Sequence, residues 1–438
     1  MNSASSMVVR TRHSVAGNVV RGSLGNLIEW YDWYAYAAFS VYFAATFFPS
    51  GDLTAKLLDT AGVFAVGFLM RPVGGWILGR YADRHGRRAA LTLSVSLMAV
   101  GALLIAANPG YAVIGTAAPA LLLLARLVQG ISVGGEYSTA ATYLSEVAPR
   151  GRRGYYSAFQ YVTLVMGQLV ALGLQIGLQH LLTDRQLTLW GWRIAFAVGA
   201  FAAVAVVWLR RTMDESASFR QAGPQTAERR GTIRSLMRHP RSFFLVVGLT
   251  MGGTVAFYTY TTYMQKFMIN TSGIDKTSVT TINFVALLIF VVMQPLYGAL
   301  SDRIGRRPLL LFFGIAGSLG TVPILTLLAG THNPLTAFVL MMSALVIVAG
   351  YTSISAVVKA ELFPVHIRAL GVGLPYALAT AIFGGTAEYI ALALKQQGHE
   401  NWFYWYVTAC ILVSFVVYAR MRETSQRSWI DRDTENLD

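Results

Sequence analysis

Gly79–Arg80–Tyr81–Ala82–Asp83–Arg84–His85–Gly86–Arg87–Arg88 returns 219 positions later as Gly298–Ala299–Leu300–Ser301–Asp302–Arg303–Ile304–Gly305–Arg306–Arg307. Glycine, aspartate, arginine, glycine and two arginines stay in register, and each copy follows a long apolar run. A second phrase also repeats: Glu146, Pro149 and Arg153 are matched by Glu361, Pro364 and Arg368, each 215 residues on. Two markers repeated at nearly the same offset in a 438-residue chain read as two homologous halves. Half-chain repeats in an apolar protein point to a secondary transporter with its site between the halves.

Composition places the chain in lipid. Hydrophobic residues make up 55% and charged residues 13%, against about 25% charged in soluble proteins. Apolar stretches of about 20 residues, long enough to span a bilayer as helix, fall near 20–47, 57–80, 90–107, 117–145, 155–180, 190–209, 243–268, 278–300, 308–329, 334–358, 369–394 and 402–420. The expected fold is all-α and integral to the membrane, with twelve transmembrane helices in two six-helix bundles. The reading divides the chain into a tail (1–19), a first bundle (20–209), a polar linker (210–241), a second bundle (242–420) and a loosely ordered tail (421–438).

The net charge of +14 would suit nucleic acid, but its distribution does not. Basic residues crowd alternate loops: Arg84, Arg87 and Arg88; Arg150, Arg152 and Arg153; Arg210 through Arg241; Arg303, Arg306 and Arg307. This positive-inside pattern puts both termini and the linker in the cytoplasm, and no nucleic-acid partner is expected. Residues 1–21 lack a short apolar core with a cleavage site, so they read as a cytoplasmic tail. The single cysteine, Cys410, makes neither an internal disulfide nor a metal cluster, and reads as lipid-facing or packed. Trp190, Trp192 and Arg193 look like an interfacial belt.

Charges inside spans carry the functional reading, because each costs about 2.5–3.5 kcal/mol on insertion scales and so implies a partner or a cavity. Glu29, Asp32 and Tyr36 share a face of span 1. Two carboxylates one turn apart suit a proton carrier, unless Glu29 merely pairs with an arginine. Arg71 in span 2 lies eight residues before Gly79, about 12 Å along a helix, and the second half has no arginine at the matching place, where Phe290 stands. A planar guanidinium can grip a carboxylate with two hydrogen bonds; the alternative is an internal salt bridge to Asp32 or Glu29. In span 4, Arg126, Gly130 and Gly134 form one stripe, with Glu136 beyond. Gln160 and Tyr161, Gln168, Tyr258, Tyr263, Gln265, Asn283, Gln294 and Tyr376 are softer polar candidates. Glu388 in span 11 is a further full charge. Arg71 and Arg126, as buried cations, favour an anionic cargo.

The doubled Gly-x-x-x-Asp-Arg-x-Gly-Arg-Arg phrase resembles that of the major facilitator superfamily. Gly25–Asn26–Leu27–Ile28–Glu29–Trp30–Tyr31–Asp32 and Arg126–Leu127–Val128–Gln129–Gly130 resemble its metabolite:proton symporter branch. Stretches such as Ala118–Arg126, Tyr260–Lys266 and Phe383–Tyr389 extend the likeness to nearly the whole chain. The resemblance implies a cytoplasmic latch that breaks and reforms as the halves rock, formed by Asp83, Arg84, Arg87, Asp302 and Arg306 with Glu146 and Glu361; a loop that only fixes topology is the alternative. It implies proton coupling at Arg126-x-x-Gln-Gly, with Glu136 a further coupling candidate, against a purely structural pairing. The implied activity is proton-coupled import of a small dicarboxylate such as 2-oxoglutarate through a bacterial inner membrane; citrate, shikimate or a zwitterionic osmolyte such as proline or betaine is the alternative. The substrate-contact candidates are Arg71, Tyr36, Arg126, Gln160, Tyr263 and Tyr376; the coupling candidates are Asp32, Glu29, Glu136 and Glu388. No cofactor, metal or enzymatic activity is expected. The partners are a small anionic metabolite, protons and the bilayer, and the chain is expected to work as a monomer.

Overall fold

The computed structural model describes residues 15–211 and 233–431, except 86, 136, 138–140, 143, 146, 147, 365, 366 and 427; the side chains of 15–25, 79, 80, 82–85, 87, 88, 90, 91, 209–211, 235 and 369 are also outside the description. The described residues form helical rods in the expected order. They are α1 (Val15–Phe47), α2 (Leu53–Leu69, continuing as Arg71–His85), α3 (Arg87–Ala107), α4 (Ala117–Val133), α5 (Arg153–Leu181) and α6 (Trp192–Arg211) in the first half. The second half holds α7 (Pro240–Tyr258, Thr259–Tyr263 and Met264–Asn270), α8 (Lys276–Ile304), α9 (Arg306–Ala329), α10 (Pro334–Thr352 and Ser355–Glu361), α11 (Arg368–Ala379, Thr380–Gly384 and Ala387–Gln396) and α12 (Glu400–Arg420). Among the described residues 9 helices are long and apolar enough to cross a membrane, and Thr92–Ala107 and Ala117–Val133 are shorter apolar helices.

Local chemistry starts these helices. Asp275 caps α8 by accepting from the Ser278 N–H at 2.9 Å, and Asn333 caps α10 ahead of Pro334. Within the first half α1 packs on α5 and α6, and α3 on α4 and α6; within the second, α7 packs on α11 and α12, and α9 on α10 and α12. The halves meet along α5 with α8 and α2 with α11.

Small residues set how closely the rods approach. The α4 stripe read from the sequence packs on α2: a Cβ on Gly130 would stand 2.1 Å from the Gly67 carbonyl, and one on Gly134 2.1 Å from that of Arg71. Between the halves, a Cβ on Gly298 would lie 2.5 Å from the Gly154 carbonyl. Gly298 opens the second copy of the repeated phrase, so its conspicuous glycine is an inter-bundle contact.

Among the described residues four rods are interrupted. Met70 ends the first segment of α2 and Pro72, which has no N–H to give, follows it. Single π-turns interrupt α7 at Thr259–Tyr263 and α11 at Thr380–Gly384, and α10 breaks at Ser353–Ile354. Such turns expose backbone and redirect side chains, and they concentrate at functional sites.

Two expectations are corrected. The C-terminal tail is packed through Asp431: Met421, Thr424, Ser428 and Ile430 are buried, because its acidic side chains find partners at the basic end. Trp192 is not interfacial. The π-turn Leu187–Gly191 brings it inward onto Phe43 and Phe47, with ring centroids 5.5 Å away in each case, while Trp190 is exposed. Cys410 is packed. Residues 212–232 of the linker lie outside the described residues, and its far end carries the short helix Ile233–Leu236.

Candidate functional site

Asp32 and Arg126 are joined by Gln129, the glutamine of the Arg-x-x-Gln-Gly phrase, and Tyr36 lies against the Arg126 guanidinium. Arg126 Nη1 donates to Gln129 Oε1 at 2.7 Å, and Gln129 Nε2 donates to Asp32 Oδ2. The Arg126 guanidinium stacks on Trp33 at 3.8 Å and Tyr36 at 4.4 Å, and the Tyr36 hydroxyl donates to the Thr60 carbonyl at 2.9 Å. One glutamine thus relays a buried carboxylate on α1 to a buried guanidinium on α4, with aromatic faces supporting the cation. Asp32 Oδ1 and Arg126 Nε and Nη2 keep unmade hydrogen bonds among the described residues. Glu29, on the same helix face, is buried.

Arg71 lies at the break in α2, 1% exposed. Its guanidinium sits 5.1 Å from the Trp30 ring and 5.0 Å from that of Phe68. It makes no salt bridge among the described residues, and Nη1 has no hydrogen-bond partner there. The internal salt bridge to Asp32 that the sequence allowed is not formed: Asp32 Oδ2 accepts from Gln129 and Oδ1 has no partner among the described residues. Tyr34, Tyr258 and Tyr376 lie within electrostatic reach of Arg71, so α1, α2, α7 and α11 all contribute. Both amide atoms of buried Gln160 and the hydroxyls of Tyr34 and Tyr258 are also unpartnered among the described residues. Buried polar groups are almost always satisfied. Unmade hydrogen bonds on Tyr34 and Tyr258, both within electrostatic reach of the Arg71 cation, suit a site built for a polar ligand.

Two lysines were missed. Lys266 on α7 pairs with Glu388 on α11, both buried, so Glu388 is held by a cation within its own bundle. Lys266 could have been found by the rule that singled out Glu388, since it is a full charge in an apolar span. Tyr263 packs edge-on against Phe267 and Phe403, at 5.9 and 5.6 Å. Lys359 on α10 is fully buried. Its Nζ donates to Ser355 Oγ at 2.7 Å and lies 4.1 Å from the Tyr376 ring and 5.7 Å from those of Tyr137 and Tyr351. It stands two residues before the Glu361 marker, where a lysine reads as the basic end of a span. Tyr376 stacks on Tyr137 across the halves at 3.8 Å.

The softer polar candidates divide. Gln168 donates to the Thr261 carbonyl at 2.9 Å and Gln265 to Gln175 at 3.1 Å, both across the halves. Gln294 accepts from Thr352 at 2.9 Å. Asn283 has neither amide atom partnered among the described residues.

A separate polar assembly closes the basic end. Asp302 accepts from the Gly154 and Tyr155 N–H groups at 2.8 and 2.9 Å, at the start of α5, and pairs with Arg306 at 2.8 Å. It therefore both caps a helix of the other half, where the dipole favours an anion, and holds its own motif arginine. Arg306 reaches Glu361 at 3.7 Å. Glu423 accepts from the N–H groups of Arg306 and Arg307, each at 2.9 Å. Burial alone would raise the Glu423 carboxyl, but these bonds and those from Ser425 outweigh it and hold the group below its ordinary range. Asp431 pairs with Arg153 at 2.9 Å and Arg150 at 3.1 Å, tying the tail to the first half. Of the remaining latch and coupling candidates, Glu136 and Glu146, and the side chains of Asp83, Arg84 and Arg87, lie outside the described residues.

The family model described as Major Facilitator Superfamily matches residues 23–387 and 267–431. The chain is 55% identical over 399 residues to the alpha-ketoglutarate permease of Escherichia coli K12, covering 91% of this chain and 92% of that protein. It is 35% identical to a citrate-proton symporter of Salmonella typhi, covering 96% and 97%. Among solved structures, a D-xylose-proton symporter superposes with a TM-score of 0.74 at 18% identity, over 94% of this chain and 99% of that one.

Proposed function

The chain belongs to the Major Facilitator Superfamily, and from that premise we propose that it is a proton-coupled symporter that imports a small dicarboxylate, 2-oxoglutarate, through a bacterial inner membrane. The observation that carries the anionic cargo is Arg71: a buried guanidinium at a helix break, with no carboxylate on it among the described residues and an unmade hydrogen bond. The 55% identical relative supports 2-oxoglutarate as that anion. Citrate is the second reading, favoured by the 35% identity to a citrate-proton symporter.

The mechanism is alternating access. The bundles rock about the buried site, with the basic end facing the cytoplasm. Asp302 on the start of α5 forms the cytoplasmic latch with Arg306 and Glu361, and it opens when the site faces inward. A substrate carboxylate on Arg71 neutralises that cation. A proton on Asp32 neutralises the carboxylate that Gln129 otherwise relays to Arg126, which loosens the tie between α1 and α4. Coupling follows from that release: the tie between Asp32 and Arg126 opens only when Asp32 is protonated, so the substrate-loaded bundles rock with the proton on board.

The test is competition against labelled 2-oxoglutarate in proteoliposomes. Unlabelled 2-oxoglutarate should compete far better than citrate, and Arg71→Met should abolish uptake while leaving a folded protein. Stronger competition by citrate would transfer the assignment to the second reading, and normal affinity in Arg71→Met would remove Arg71 from the site.

A further inference from the structure

Seven lysines and arginines are buried among the described residues: Arg153, Arg306 and Arg368 at the basic end, and Arg71, Arg126, Lys266 and Lys359. Arg126 is relayed to Asp32 through Gln129, and Lys266 pairs with Glu388. Arg71 and Lys359 make no ion pair among the described residues. One belongs to each bundle.

Lys359 is not satisfied as a structural element. Its ammonium carries three donors, and one goes to Ser355. What surrounds the rest is aromatic: Tyr376, Tyr137 and Tyr351. A cation–π contact recovers less than the burial of an ammonium costs, so the cage alone does not account for a fully buried lysine. The hydroxyls of Tyr137 and Tyr351 have no hydrogen-bond partner among the described residues, so the wall around Lys359 offers further donors to an anion. Tyr376 joins the two cations. Its ring faces Lys359 at 4.1 Å, and its phenol lies within electrostatic reach of Arg71.

We propose that Lys359 is the second anion anchor of the transport site, so that a dicarboxylate rests one carboxylate on Arg71 of the first bundle and the other on Lys359 of the second. This rests on the dicarboxylate reading given above and adds what selects it. A dianion matches two uncompensated cations, whereas a monocarboxylate leaves one of them unpaired in the membrane, so charge number is the selection criterion. Because the two cations sit on different bundles, the substrate itself bridges the halves, and its binding energy favours the state in which the bundles close on it.

The experiment measures inhibition of labelled 2-oxoglutarate exchange by 2-oxoglutarate and by 2-oxopentanoate, which keeps the chain and the keto acid but has lost the distal carboxylate. The protein is the full-length wild type, Lys359→Met, and Lys359→Gln, which keeps a hydrogen bond to Ser355 without the charge. The wild type should prefer the dicarboxylate by about tenfold to hundredfold, the worth of a hydrogen bond to a charged group. In Lys359→Met that preference should collapse towards unity, with affinity for 2-oxopentanoate unchanged. If Lys359→Met does not fold, Lys359→Gln is read in the same way. A folded variant that keeps the preference overturns the assignment, as does one that keeps normal affinity and loses only proton-driven accumulation. A wild type that binds neither acid overturns the 2-oxoglutarate reading, and this assignment with it, a result distinguishable because it appears before any substitution is made.

Discussion

The charges tied together at the basic end and the two buried cations Arg71 and Lys359 obey opposite rules. At the basic end each described acid has a partner supplied by the chain: Asp302 has Arg306 and the start of α5, Glu423 has two backbone N–H groups, and Asp431 has Arg150 and Arg153. Lys266, buried too, has Glu388, but Arg71 and Lys359 have aromatic rings and no carboxylate among the described residues. The difference separates scaffold from site. A charge that the chain itself neutralises holds the structure, and one that it leaves to be neutralised calls for a ligand.

That distinction can be broken most directly at Lys266. Lys266→Met strands buried Glu388 and should cost about 3–5 kcal/mol, read as a loss of melting temperature in detergent, with Lys266→Met/Glu388→Gln recovering most of it. Arg71→Met should do the reverse: it removes an uncompensated charge, so the melting temperature should hold or rise while uptake disappears. Equal destabilisation by the two would erase the comparison. Next in size is Asp302→Ala, which strips the start of α5 of its cap and Arg306 of its partner. It should destabilise by roughly 1–3 kcal/mol and increase labelling of a cysteine placed between α5 and α8 at the basic end. The smallest effect is expected from Glu423→Gln. Because the Glu423 carboxyl is held below its ordinary range, its contribution should be complete at neutral pH and fade as pH falls through that depressed value. Faster proteolysis of the tail in Glu423→Gln than in wild type should therefore be evident at neutral pH and vanish in acid. A difference that grew on acidification would mean that the carboxylate does not dock the tail.

Much of the scaffold was legible because it rests on period and repetition. The two offset copies gave the two bundles, and apolar runs gave the described rods to within about five residues, except α4, a helix to Val133 where the run reaches 145. The glycines of α4 were legible as one stripe with Arg126, but that the stripe packs on α2 needed the neighbouring helix in place. The site was legible only in part. Asp32, Arg71 and Arg126 stood out because a full charge in an apolar run is costly, but the Gln129 relay requires knowing that α1 and α4 touch. Lys359 was hidden by its position, two residues from a repeated marker at a span end, where nothing in one dimension says that the lysine turns inward. The packed tail was misread for a related reason: Glu423 and Asp431 look solvated until the Arg150, Arg153, Arg306 and Arg307 loops fold beneath them.

The central claim is that a buried carboxylate and buried cations make dicarboxylate movement depend on protons. Uptake of labelled 2-oxoglutarate into proteoliposomes, with an inward proton gradient and again with a protonophore, tests it in wild type and Asp32→Asn. Wild type should accumulate substrate and lose that accumulation with the protonophore, and Asp32→Asn should exchange substrate but no longer accumulate it. Wild-type uptake that merely equilibrates whatever the gradient, or Asp32→Asn accumulation as high as wild type, would contradict it.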